Sequence, residues 1–221
     1  MTQEQRNHFM EVFQDFSTGL ICDAMDKLKL KKKVIHGLTP ISPTQPRMTG
    51  FAYTVRQIAI HHDPAEGLLV KHAPAIDAYS QSGDVMVIDV GGHPEMCSGG
   101  AILALRGKMR GLRGYVIDGA YRDIEECREI GMPIFVKSTS PVRSHNELET
   151  VALNEPVEIR GVQVRPGDFL VADQTGIVVI PEKHLEAIEK ECTSNKAHED
   201  AMMELIAKGY SLPQVDEMLA K

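Results

Sequence analysis

The stretch from Gly83 to Val136 constrains the fold of this chain more than any other. Val85-Met86-Val87-Ile88-Asp89-Val90 and Tyr115-Val116-Ile117-Asp118 are apolar runs closed by Gly91-Gly92 and Gly119, and Pro133-Ile134-Phe135-Val136 is a third. Between them lie two helical segments. One spans about 100–109, with Ile102, Leu103, Leu105 and Met109 available to a core and Gly111 and Gly114 as breakers; the other spans about 122–130. Strand, helix, strand, helix, strand is the pattern of parallel βαβ units. A parallel strand is covered on both faces, so it reads as a continuous apolar run rather than as an alternation. The expected class is therefore α/β, a layered domain with a central parallel βαβ core.

The flanks are different in texture. Phe9, Val12, Phe13 and Phe16 recur at the spacing of one helix face. Ser17-Thr18-Gly19 interrupts that face, and Thr18 is the expected cap of a second helix carrying Leu20, Ala24 and Leu28. Lys31-Lys32-Lys33 reads as a solvated loop. Prolines at 40, 43 and 46 punctuate the next stretch, and Phe51-Ala52-Tyr53-Thr54-Val55 reads as a strand. Residues 66–79 read as a helix that Pro74 ends or kinks. Past residue 156 come four short strands, Val157-Glu158-Ile159, Val162-Gln163-Val164, Phe169-Leu170-Val171 and Ile177-Val178-Val179-Ile180. Turns at Gly161, Pro166-Gly167-Asp168 and Thr175-Gly176 join them, as in antiparallel structure. Pro181 opens a C-terminal helix with Leu185, Ile188 and Cys192 on one face, running through Met202, Leu205 and Ile206 to a C-cap at Gly209. No linker or repeat interrupts this order, which makes residues 1–221 one domain.

Composition excludes several roles. Lys and Arg number 24 against 31 Asp and Glu, a net charge of -7. An acidic chain lacks the basic face that general nucleic-acid binding needs, and anionic membranes repel it. No run of about 18 apolar residues is present to span a bilayer. The start, MTQEQRNHFMEVFQDF, lacks the basic and then apolar pattern of a secretory signal. Cys22, Cys97, Cys127 and Cys192 are too far apart for a CxxC pair or metal knuckle, so free thiols and a cytoplasmic location are expected.

Ligands of open parallel sheets bind beyond the C-terminal strand ends. Two loops lie there. The first, Gly91 to Gly100, leads into the helix at Ala101-Ile102-Leu103; the second is Asp118-Gly119-Ala120-Tyr121-Arg122-Asp123. Parallel neighbours place them side by side. A glycine-rich approach to a helix leaves backbone N–H groups free at the positive end of the dipole, which suits an anion. A tight turn needed only for packing has the same composition. The spacing matches neither a Walker A loop nor a dinucleotide fingerprint. Arg122 has the fork that grips a carboxylate. Asp123 offers oxygen to a hard cation such as Mg²⁺. Either residue alone could be a helix cap. Together with the helix start they could hold a 2-oxoacid and stabilise its enolate.

The strings GDVMVIDVGG and SGGAILALRGKMRGLRGYVIDGAYRD resemble the RraA-like family, which includes 4-hydroxy-4-methyl-2-oxoglutarate aldolases and regulators of ribonuclease E activity. STGLICDAMDKL, RMTGFAYTVR and PVEIRGVQVRPGDFLVADQTGIVVIP are similar to its N-terminal helix, first core strand and C-terminal β segment. The resemblance implies a layered α/β domain assembled as a homo-trimer or a dimer of trimers, with sites between subunits. It implies that Arg122 contacts a pyruvyl unit and that Asp123 binds Mg²⁺ or Mn²⁺. It also implies that Gly100, Ala101, Ile102 and Leu103 offer backbone donors to substrate, and that Glu199 of a neighbouring subunit supports the metal waters. One departure stands out. The aldolases carry an acidic residue where this sequence has Ala101, and alanine can neither hold metal waters nor relay a proton.

The expected function is accordingly a metal-dependent lyase on a small 2-oxoacid, by retro-aldol cleavage or decarboxylation through a pyruvate enolate. Ala101 motivates an alternative, a non-catalytic regulator that binds an RNA-processing enzyme. Glu95, His93 and Cys97 are the nearby residues that could add chemistry, and Arg143-Ser144 could line a cleft. His61-His62-Asp63 has metal-ligand residue types but reads as a loop. No glycine-rich S-adenosylmethionine motif is present.

Overall fold

The structure is a computed structural model that describes residues 1–42, 44, 47–60, 72–144 and 147–220; the 66–71 portion of the expected helix and His61-His62-Asp63 lie outside the described residues. The strands in chain order are β1 (Val34–Ile35), β2 (Thr39–Pro40), β3 (Met48–Ala59), β4 (Asp84–Cys97), β5 (Gly114–Tyr121), β6 (Ile134–Thr139), β7 (Leu148–Leu153), β8 (Val157–Ile159), β9 (Val162–Val164), β10 (Phe169–Ala172) and β11 (Ile177–Ile180). The helices are α1 (Gln3–Val12), α2 (Thr18–Lys27), α3 (His72–Pro74), α4 (Ala101–Met109), α5 (Ile124–Ile130), α6 (Leu185–Ala207) and α7 (Leu212–Leu219).

One mixed sheet organises the chain, in the order β1-β11-β10-β3-β4-β5-β6-β2. Its centre, β3 to β6, is parallel, as the apolar runs predict. The edge of β3 away from β4 is shared by β10 and β7, both antiparallel to it. The expected antiparallel segment therefore divides. β10 and β11 extend the main sheet, while β8 and β9 form a separate hairpin.

Side-chain alternation sorts the core into two faces. Phe51, Phe169, Val171, Val178 and Ile180 meet α1, α2 and α6 at one end of the sheet. Tyr53, Val55, Met86, Ile88, Tyr115, Ile117 and Tyr121 continue that face under α4 and α5. The opposite face (Ala52, Val85, Val87, Val116, Phe135, Leu170, Val179) is covered by Val157, Ile159 and Val164 of the hairpin. A buried ion pair ties α1 to the start of β4. Arg6 lies 2.7 Å from Asp84, and its guanidinium sits 4.1 Å from the Phe51 ring centroid.

Three local expectations change and one is met. Ser17, not Thr18, caps α2 by accepting from the Leu20 N–H, and Thr18 instead donates to Asp173. Pro74 ends the α-helical segment His72–Pro74, as expected, and the chain passes directly into a π-helical turn, Ala75–Tyr79. Gly91-Gly92 do not end β4. At φ of 64° and 73° they start a bulge, and the strand resumes to Cys97. On α4, Ile102 (81% exposed), Leu105 and Met109 face outward; Ala104 and Gly107 are buried, and Leu103, alone of the four expected positions, packs against the core beside Ala101. A Cβ at Gly107 would overlap the Tyr115 hydroxyl, so only small residues let this helix approach the sheet.

Candidate active site at the ends of the central strands

β4 and β5 run side by side and end together, with Cys97 registered on Ala120. The two loops are then stitched. Ser98 N–H donates to Ala120 O (3.1 Å), Arg122 N–H to Gly99 O (3.2 Å), and the Tyr121 hydroxyl to Gly100 O (3.0 Å). Ser98 Oγ, fully buried, reaches Gln57 Oε1 on β3 at 2.8 Å. Neither Gln57 nor Tyr121 was singled out from sequence, because a strand-end Gln or Tyr carries no local signal of what it will meet.

This stitching places Asp123 against the start of α4. Asp123 adopts the left-handed conformation (φ 56°, ψ 50°), uncommon for a non-glycine residue. Its Oδ2 accepts from Ala101 N–H at 3.2 Å and lies 3.6 Å from Arg122 Nε. The first intrahelical bond of α4 runs from Ala104 N to Gly100 O, so the amides of Ile102 and Leu103 precede it and have no acceptor within the helix. Arg122, Asp123, Gly100, Ala101, Ile102 and Leu103 thus come together as expected. A cleft of about 440 Å³ opens beside Arg122 and Asp123, lined by Tyr121, Arg122, Asp123, Glu125, Thr139 and Ser140; Gly100 to Leu103 are not part of its wall. Arg122 and Asp123 are each about one-third exposed, so the charged pair is reachable from solvent.

The donor chemistry suits a hard cation that keeps most of its water. One protomer offers two accessible carboxylates in the cleft wall, Asp123 and Glu125, and among the described residues no three of His, Cys, Asp and Glu converge on one point. Mg²⁺ and Mn²⁺ tolerate such sparse protein ligation. Glu199 is not brought to Asp123 within one chain. It is exposed on α6, which is anchored over α2 and the far end of the sheet by Leu185, Ile188 and Cys192.

The secondary candidates fare unequally. Cys97 is buried; burial pushes its thiol up, and Sγ donates to Ser140 O, so it is no ready nucleophile. His93 sits within the β4 bulge with Nδ1 buried and without a partner among the described residues. Glu95 is exposed and lines no wall of this cleft. Arg143 bridges back to Cys97 through its backbone while its side chain is exposed. The cysteines are all free thiols. Among the described residues no helix is long and apolar enough to cross a membrane.

The comparisons agree with this architecture. The RraA-like family profile, described as Aldolase/RraA, matches residues 18–179, and the chain belongs to that family. Uncharacterized protein MJ0644 of Methanocaldococcus jannaschii is 31% identical over 207 residues, covering 93% of this chain and 92% of its own. A Thermus thermophilus protein named 4-hydroxy-4-methyl-2-oxoglutarate aldolase is 33% identical over 132 residues, covering 60% of this chain and 76% of its own. Among solved structures, Streptomyces coelicolor RraAS2 is described as an unusual member of the RNase ES inhibitor RraA protein family. It superimposes with a TM-score of 0.73 at 27% identity, covering 92% of this chain and 96% of that one.

Proposed function

We propose that this protein is a divalent-metal-dependent lyase acting on a small 2-oxoacid, by retro-aldol cleavage or oxaloacetate-type decarboxylation. The observation that carries the reading is the Arg122–Asp123 pair held against the N-terminus of α4. Arg122 grips the substrate carboxylate, or the oxygen on which charge develops, through its fork of donors. The amides of Ile102 and Leu103 take the remaining carboxylate oxygens at the positive end of the helix. Asp123 holds Mg²⁺ or Mn²⁺, which when bound supplies Lewis-acid stabilisation of the same negative charge.

Ala101 restricts the proton chemistry, since residue 101 can neither give nor take a proton. A neighbouring subunit would supply Glu199, in a homo-trimer or a dimer of trimers. Two features support such assembly. The distal half of α6 stands exposed with Met203 (70%) and Ile206, and α4 shows an outward apolar stripe of Ile102, Leu105 and Met109. The test is pyruvate release from oxaloacetate and from 4-hydroxy-2-oxoacids, with Mg²⁺ or Mn²⁺ and with chelator, in wild type and Arg122→Ala. No turnover of any of these with either metal would sink the proposal. Ala101 also supports a second reading, a regulator that docks on an RNA-processing enzyme. It predicts stable co-purification with a protein partner at moderate salt, independent of Arg122.

A further inference from the structure

We propose that a second pocket, on the sheet face opposite α4 and α5, binds a small molecule through a protonated amine held between Asp89 and Asp118. The two residues are registered partners on β4 and β5, and Arg56 of β3 is registered on Asp89, so the three form one row across adjacent strands. They project from the face that carries Val87 and Val116, whereas Tyr121 of the Arg122 site belongs to the other face. The β8–β9 hairpin roofs the row. A cavity of about 520 Å³ lies between, with Arg56, Asp89, Asp118, Glu158, Arg160 and Gln163 in its wall.

The acceptors in this cavity are in surplus. Asp118 is 6% exposed and Asp89 8%. Asp118 Oδ2 accepts from Arg160 N–H at 3.4 Å, but Oδ1 is buried and has no partner among the described residues. Asp89 Oδ1 is taken by Gly91 N–H at 2.8 Å, while Oδ2 has only Arg56 Nε at 3.9 Å, on a side chain 57% exposed. Lys137 on β6 does not close the gap. Its ammonium donates to Gly92 O, and although it flanks Gly92 on the same side as the Asp118 carboxylate, the two make no hydrogen bond or ion pair among the described residues. Two adjacent buried carboxylates, one with an oxygen that has no partner among the described residues, leave acceptors for a donor that comes between them. Glu158 is also in the wall, but among the described residues no three His, Cys, Asp or Glu side chains converge, so a metal would lack a third such ligand. An ammonium group needs only two or three oxygen acceptors, and the volume admits a molecule rather than a bare ion.

The test is calorimetric titration of the full chain with methylamine, ethanolamine, putrescine and lysine, with propanol and acetate as uncharged and anionic controls. The expected result is saturable millimolar or tighter binding of at least one amine and of neither control. That binding weakens at least tenfold in Asp118→Asn and is unchanged in Asp123→Asn, which separates this pocket from the lyase reading. The melting temperature of ligand-free Asp118→Asn should equal or exceed that of wild type, because the charge removed has an unpaired oxygen. Absence of amine binding in wild type, or equal binding in Asp118→Asn, overturns the proposal. A lower ligand-free melting temperature in Asp118→Asn assigns the row to structure alone and overturns it too. Failure of Asp118→Asn to fold is the same loss of stability and likewise overturns the proposal.

Discussion

Gly100→Ala isolates the contact on which the site depends. Gly100 has an extended backbone (φ -162°, ψ -165°) that alanine adopts freely, so any effect is steric. A methyl group there would overlap Asp123 Oδ2 and lie 3.0 Å from Arg122 Cγ. To regain an ordinary separation of ~3.5 Å, the carboxylate must retreat by about 1 Å. The hydrogen bond from Ala101 N–H, already 3.2 Å, is then lost. Overpacking and one weakened charge-assisted bond at a partly exposed site together cost about 1–3 kcal/mol. For a chain of this length each kcal/mol lowers the melting temperature by about 2–4 °C, so a drop of roughly 2–12 °C is expected. On the proposed function, displacing the carboxylate that would hold the metal should also lower pyruvate release by at least about tenfold, the equivalent of 1.4 kcal/mol. Differential scanning calorimetry and the pyruvate assay measure both. Gly19→Ala is the control, because the added methyl meets only Ser17 Oγ at 3.8 Å. Wild-type melting and turnover in Gly100→Ala would refute the idea that Asp123 is pinned against the helix start.

Further outcomes follow from the packing. Arg6→Met leaves Asp84 buried without its cation and should destabilise by about 3–5 kcal/mol in urea melts; a loss under 1 kcal/mol would show the pair to be dispensable. Burial pushes the Asp173 carboxyl up, but hydrogen bonds from Thr18, Thr175 and Gly176 outweigh it and hold it below the ordinary value. A lowered folded-state value means stability present above the unfolded value of 3.8 and lost as pH falls through the folded one. Asp173→Asn should therefore be destabilised at pH 7, with the gap to wild type closing below about pH 4, as pH-dependent urea melts would show. Burial pushes the Cys127 and Cys192 thiols up to about 12, so native protein at pH 8 should resist a thiol reagent at both, with all four cysteines reacting after unfolding. Rapid native labelling of either would contradict the packing of α5 or α6.

Much of the fold was legible because its signals are local. Continuous apolar runs at Val85–Val90, Tyr115–Asp118 and Ile134–Val136 can serve only as strands covered on both faces, and all three are parallel neighbours. The Arg122-Asp123 pair and the glycine-rich approach to α4 were legible for the same reason, since their chemistry resides in residue type and short spacing. Residues whose partners are distant in sequence were not. Gln57 meets Ser98 across 41 positions, and nothing near either residue indicates it. No element is assigned to β7 from sequence, and it is a strand because β3 offers it an edge.

By itself, then, the sequence determined the periodicities, the breakers and the charged pair, all set by interactions within a few residues. Tertiary structure decided the orientations. Helical periodicity offered Ile102, Leu105 and Met109 to a core, yet the close approach of Gly107 to Tyr115 turns them to solvent. Gly91-Gly92 looked like the end of a strand, but β5 continues alongside and supplies partners that carry β4 on to Cys97. Asp89 and Asp118 looked like ordinary strand ends, and only the parallel register sets two buried carboxylates side by side. Hydrogen bonding between strands is non-local, so the faces and neighbours it assigns exist only once the sheet has formed.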